Sequence, residues 1–299
     1  KGTMAPVYYG ILTRNRPEKG EGEILGYIPQ AEETYTYFHS AYSHINEYQL
    51  CIGESTMSQR PELQVDKGQG KQIMTVEQAA VFALQRCKTA EEALTLITSL
   101  MEKYGFLPSC GPESECLTLA DPDKVWVLEL FSVGKDWTPE SGKPGVIWAA
   151  QRLPDDQVAI IPNWSIIKEI DLGKPDQFRA SSNYMQEAID RGWYDPSGKH
   201  PFVWQEVYAP TPREWSTNRF WLFNETFAPG TTGISRHTTD PFKNLDQYTQ
   251  YVEPLAAYPF SIVPAKKLTV QDIMAFQRST FEGTIYDKEN DAAWYYVGP

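Results

Sequence analysis

The sequence predicts an α+β protein in which helices are layered on largely antiparallel sheet. Two observations carry this. A pair of consecutive helical runs each has its own start signal, and four strand-like segments follow with turn clusters between them. Strands alternating with helices would instead indicate parallel βαβ units, and no such alternation is present.

Taken in order, the first third reads as short strands and loops. Val7 to Thr13, Glu23 to Ile28 and Thr34 to His39 are β-branched or aromatic runs broken by Gly, Pro and charged clusters. Residues 58–70 read as loop. Thr75 with Gln78, and Thr89 with Glu92, then have the spacing of a reciprocal capping box, so a helix is expected to begin at each. Val76, Ala79, Ala80, Ala83 and Cys87 form the apolar face of the first helix. Ala93, Leu94, Ile97, Leu100, Met101 and Tyr104 form that of the second, which Gly105 closes. Strands are expected at Cys116 to Ala120, Val125 to Phe131, Val146 to Gln151 and Val158 to Ile161. Beyond Asn163 the pattern loosens into helices at Asn183 to Arg191, Thr211 to Asn224 and Thr269 to Gly283. The Pro- and Tyr-rich tract from Gln247 to Val263 reads as a packed surface excursion. No repeat or low-complexity segment interrupts the chain, and 299 residues with 41% hydrophobic content can form a sizeable core. Residues 1–299 therefore read as one domain.

Composition excludes some partners. With 39 acidic against 27 basic residues the formal charge is -12, which opposes binding to nucleic acid or anionic lipid. No apolar run approaches the ~20 residues that span a bilayer, so no membrane insertion is expected. Cys110 and Cys116 flank the turn-rich stretch 111–115, which could bring them within disulfide distance. Two glycosylation sequons begin at Asn163 and Asn224, of which Asn224 is the better acceptor. The bridge and the sequons together point to a secreted or lysosomal setting.

Generic motifs yield no active site. There are four histidines, no Gly-x-Ser-x-Gly elbow, no His-Glu-x-x-His, no pair of Cys-x-x-Cys motifs and no phosphate-binding glycine loop. No metal and no cofactor is expected. Cys51 reads as a small apolar strand residue.

Five phrases in order carry a family resemblance: Asn46-Glu47 with Leu50-Cys51-Ile52-Gly53-Glu54; the helix pair ending at Lys103-Tyr104-Gly105; Leu119-Ala120-Asp121-Pro122 with Val125-Trp126-Val127-Leu128-Glu129; Trp148 through Arg152-Leu153-Pro154-Asp155-Asp156; and Phe281-Glu282-Gly283-Thr284-Ile285-Tyr286-Asp287. Together they resemble the dipeptidase A and secernin-like family of N-terminal nucleophile hydrolases. The resemblance implies a four-layer αββα fold. It also implies a terminal cysteine that attacks an amide while its own α-amino group relays the proton. Residue 1 is Lys, so that cysteine is expected in a segment upstream of this chain, and the chain reads as an internal piece of a longer protein.

The resemblance also implies site residues. Asn163, after the expected strand 158–161, is similar to an active-site Asn that donates to the oxyanion. Arg219, in Ser216-Thr217-Asn218-Arg219-Phe220, is similar to a cleft arginine of the wider relatives. Glu54, Ser55 and Thr56 are the candidates for substrate contact, with Glu54 suited to a free α-ammonium. The implied substrate is a short peptide or small amide. A non-catalytic descendant and an acylase on non-peptide amides stay open as alternatives, as does assembly of this chain with itself or with other pieces of a precursor.

Overall fold

The structure is a computed structural model, and it describes residues 2–10, 22–40, 44–210, 214–230, 258–282 and 287. Its contacts divide the chain, read from sequence as one domain, into two compact units. The first comprises residues 1–153 and 165–210, and the second residues 154–164 and 211–299.

The first unit is mixed α and β. Strands β1 (Met4–Tyr8) and β2 (Ile24–Pro29) pair with each other. The main sheet has seven strands in the order β3 (Tyr37–His39), β4 (His44–Asn46), β5 (Cys51–Met57), β6 (Ser114–Ala120), β7 (Val125–Phe131), β8 (Ile147–Arg152) and β9 (Phe178–Ala180). Every neighbouring pair is antiparallel. Sequential order with short turns is what strands without intervening crossovers dictate.

Helices α1 (Val76–Arg86) and α2 (Ala90–Tyr104) sit on one face of this sheet. Alternation along the strands decides which side chains meet them. Ile52, Leu117, Leu119, Trp126, Leu128, Leu130, Trp148 and Ala150 share one core cluster with Ala79, Ala83, Leu94, Ile97 and Met101 of the helices. The apolar faces expected of both helices are thus the faces buried.

The two helix starts differ. At α2 the Thr89 hydroxyl accepts from the Glu92 amide and the Glu92 carboxylate accepts from Thr89, which completes the capping box. At α1 the box is not made. Thr75 is fully buried, its hydroxyl is turned 3.5 Å from the Tyr8 carbonyl, and Gln78 is buried in the core. The hydroxyl that a local reading assigned to the cap serves the Glu77 carboxyl and the Tyr8 carbonyl. Gly105 ends α2 at φ 74°, and a β-carbon there would lie 2.5 Å from the Trp137 ring, so glycine is required on both counts.

Two short helices, α3 (Gln186–Asp190) and α4 (Trp204–Tyr208), complete the first unit. The second unit contains α5 (Glu214–Phe227) and α6 (Val270–Gln277). Here Phe223, Phe227, Ala228 and Ile262 form a small core with Val158, Ile160, Leu268 and Phe276 against it. The strand expected at 158–161 is reduced to one bridge, Val158 to Ile262. Most of the tract 247–263, and Gly283 to Tyr286 of the last family phrase, lie outside the described residues. Among the described residues no helix is long and apolar enough to cross a membrane.

Candidate functional site

Asn163 and Arg219 meet within the second unit. Asn163 adopts φ 60°, in the left-handed region that Asn tolerates better than most residues. Arg219 projects from α5, and its Nη2 donates to the Pro162 carbonyl at 2.9 Å and to Asn163 Oδ1 at 3.0 Å. Trp164 and Phe220, the next residues on each segment, pack edge to face with centroids 6.1 Å apart. Burial lowers the pKa of the Arg219 guanidinium from its usual high value, though a guanidinium stays charged at neutral pH. A cation on Oδ1 settles which way the amide points, so Nδ2 and its two protons face away from Arg219.

The three candidates on β5 do not stay together. Register places Glu54 opposite Leu117 and Thr56 opposite Glu115, on the helix-facing side of the sheet, while Ser55 lies opposite Cys116 on the other side. Thr56 Oγ1 donates to Glu54 Oε1 at 3.0 Å. Glu54 and Thr56 thus share one face of β5, and Ser55 lies on the other. Glu54 instead belongs with two buried carboxyl groups, Glu115 of β6 and Glu77 in the first turn of α1. Ser109 Oγ lies 2.7 Å from both Glu77 oxygens, and burial still pushes the Glu77 pKa up.

On the Ser55 side the dominant group is Glu129, cross-strand partner of Cys116 and fully buried. Four donors converge on it: Ser165 Oγ at 2.6 Å, the Ile166 amide at 2.6 Å, the Ile167 amide at 3.1 Å and Trp204 Nε1 at 2.7 Å. Burial raises its pKa and these four bonds oppose the rise. Sequence reasoning missed this residue. The available signal was one acidic residue inside the otherwise apolar run Val125–Phe131.

Two further expectations are corrected. All four cysteines are free. Cys116 is fully buried on the Glu129 side of the sheet and Cys110 is half-buried in the loop before β6, and no bridge joins them. Asn224 is 2% exposed, and its Nδ2 donates to the Phe220 carbonyl at 2.9 Å, one helical turn back. A glycan acceptor must be at the surface, and this one faces inward. The secreted or lysosomal expectation thus loses the bridge and the better sequon from which it was drawn. Among the described residues no group of three or more His, Cys, Asp or Glu is placed to hold a metal ion.

The family model described as Peptidase family C69 matches residues 27–296. The chain belongs to that family. It is similar to "Probable dipeptidase B" of Lactococcus lactis subsp. lactis (strain IL1403), 25% identical over 236 residues, which are 75% of this chain and 39% of that protein. It is similar also to "Probable dipeptidase" of Latilactobacillus sakei, 25% identical over 210 residues, 69% of this chain and 36% of that one. The chain therefore spans less than half the length of these relatives.

Proposed function

We propose that this chain is the body of a dipeptidase-type amide hydrolase with the four-layer αββα arrangement, acting on short peptides. The attacking group we assign to the N-terminal cysteine of the mature enzyme, which is not among residues 1–299. Asn163 carries the reading. Its amide is oriented by Arg219 through Oδ1, so Nδ2 is the end that donates to the oxyanion formed when the thiolate adds to the peptide carbonyl. Arg219 then acts as a positioning residue and adds positive charge near the developing negative one. The dipeptidase names of the relatives support the substrate class.

The test uses the full-length protein that contains this chain, assayed on a panel of dipeptides and, in parallel, N-acyl amino acids, with and without iodoacetamide. Dipeptide hydrolysis that the thiol reagent abolishes is expected. Asn163→Ala should lower kcat about 10²- to 10³-fold with little change in KM. Turnover that survives alkylation, or an undiminished kcat in the variant, would overturn the reading. Preference for the N-acyl substrates would make the enzyme an acylase.

A further inference from the structure

Between the main sheet and the start of α1, Glu54, Glu77 and Glu115 act on one another through their charges. Glu54 and Glu115 are diagonal neighbours on adjacent strands, on the same face by register. Two of the three have a donor: Thr56 Oγ1 serves Glu54, and Ser109 Oγ serves Glu77. Glu115 has none. It is fully buried, and neither of its carboxyl oxygens receives a hydrogen bond. Among the described residues no lysine, arginine or histidine is ion-paired with any of the three.

The remaining titratable groups near Glu115 do not help a negative charge there. Cys110, from the loop before β6, contributes unfavourably to it. Glu113 is two residues back along the chain, and Cys116 and Glu129 belong to the opposite face. An ionised Glu115 would thus be a buried charge with no donor, no cation and acidic neighbours, the costliest arrangement available to a carboxyl group. Two adjoining carboxyl groups in such a place hold at least one proton, and the proton supplies the hydrogen bond that the pair otherwise lacks.

We propose that Glu115 is a neutral carboxylic acid donating its proton to Glu54, and that this acid pair is an alkaline-sensitive switch at the junction of α1, β5, β6 and the loop at 108–113. When the Glu115 O–H bond breaks, the proton passes to solvent base and its electron pair stays on the carboxylate. Repulsion from Glu54 and Glu77 then pushes on the first turn of α1 and on the loop that carries Ser109 and Cys110.

The sign of the pH dependence follows from burial first and Glu54 second, both of which raise the Glu115 pKa well above the ordinary glutamate value. A group whose folded pKa is raised contributes stability that is complete below its unfolded pKa. That contribution is lost as pH rises through the folded pKa.

The experiment is thermal melting of the full-length protein that contains this chain and of its Glu115→Gln variant from about pH 6 to about pH 10, joined to infrared spectroscopy of both. Gln keeps the volume, supplies an N–H to Glu54 and cannot ionise. The wild-type midpoint should fall across the range by more than about 3 °C beyond the fall of the variant. A carbonyl band of a protonated buried acid should be present in the wild type and missing from Glu115→Gln. Parallel melting profiles, or identical infrared spectra, would overturn the proposal. Should Glu115→Gln fail to fold, Glu54→Gln serves: removing the neighbouring charge should move the alkaline limb to higher pH, and an unmoved limb is the contrary result.

Discussion

Glu115 and Glu129 are buried carboxyl groups on adjacent strands of one sheet, on opposite faces, and they are accommodated in opposite ways. Glu129 has four donors, two of them backbone amides, and each favours the ionised form. Glu115 has no donor and two acidic neighbours, and only a proton can satisfy it. Equal burial therefore does not imply equal charge. What the surrounding groups offer decides it, because burial removes water from both residues alike.

The strongest way to break this contrast is Glu129→Ala. It would leave a hydroxyl, two backbone amides and an indole N–H without an acceptor inside the protein. A loss of about 4 kcal/mol or more is expected in urea denaturation at neutral pH, against little or none for Glu115→Gln. A loss below about 1 kcal/mol would mean that the four donors find other acceptors. A milder comparison uses Glu92, whose carboxylate also accepts from backbone amides, those of Lys88 and Thr89, but at the exposed start of α2. Glu92→Ala should cost at most about 1 kcal/mol, because water can replace the lost bonds. Smallest of all is the effect at Asp272. Hydrogen bonds from Lys266 and Thr269 hold its pKa at about 2, and the group is at the surface. Its pKa is lowered, so its contribution is present above the unfolded value and lost as pH falls toward about 2. An NMR titration should show the Thr269 amide signal moving in that window only. Movement near the ordinary aspartate value would remove the surface example from the series.

These residues also show how far sequence could reach. The Thr89–Glu92 box was legible because both partners lie within one turn, and the apolar faces of α1 and α2 were legible because helix periodicity fixes them. The Thr75 box is not made, and its hydroxyl is engaged by the buried Glu77 and by Tyr8, 67 residues earlier. The expected strand at 158–161 met its partner Ile262 more than a hundred residues later, and only as a bridge. Asn163 and Arg219 were each named from resemblance, but their contact across 56 residues was not legible in the sequence. That Glu54 and Thr56 share a face and Ser55 does not was legible from strand alternation, which the sequence does contain. Glu129 was hidden because its partners Ser165 and Trp204 lie 36 and 75 residues away.

The burial of the thiols has a practical consequence for labelling chemistry. Cys116 has no exposed surface, Cys87 has its pKa pushed up to about 12, and burial raises that of Cys51 as well. The thiolate is the species that reacts with an electrophile, so these three should remain nearly silent toward an alkylating probe at neutral pH. An alkylating probe applied to this chain would then have Cys110 as its main site of reaction. Cys110→Ser would remove that site while leaving Glu129 and its four donors in place.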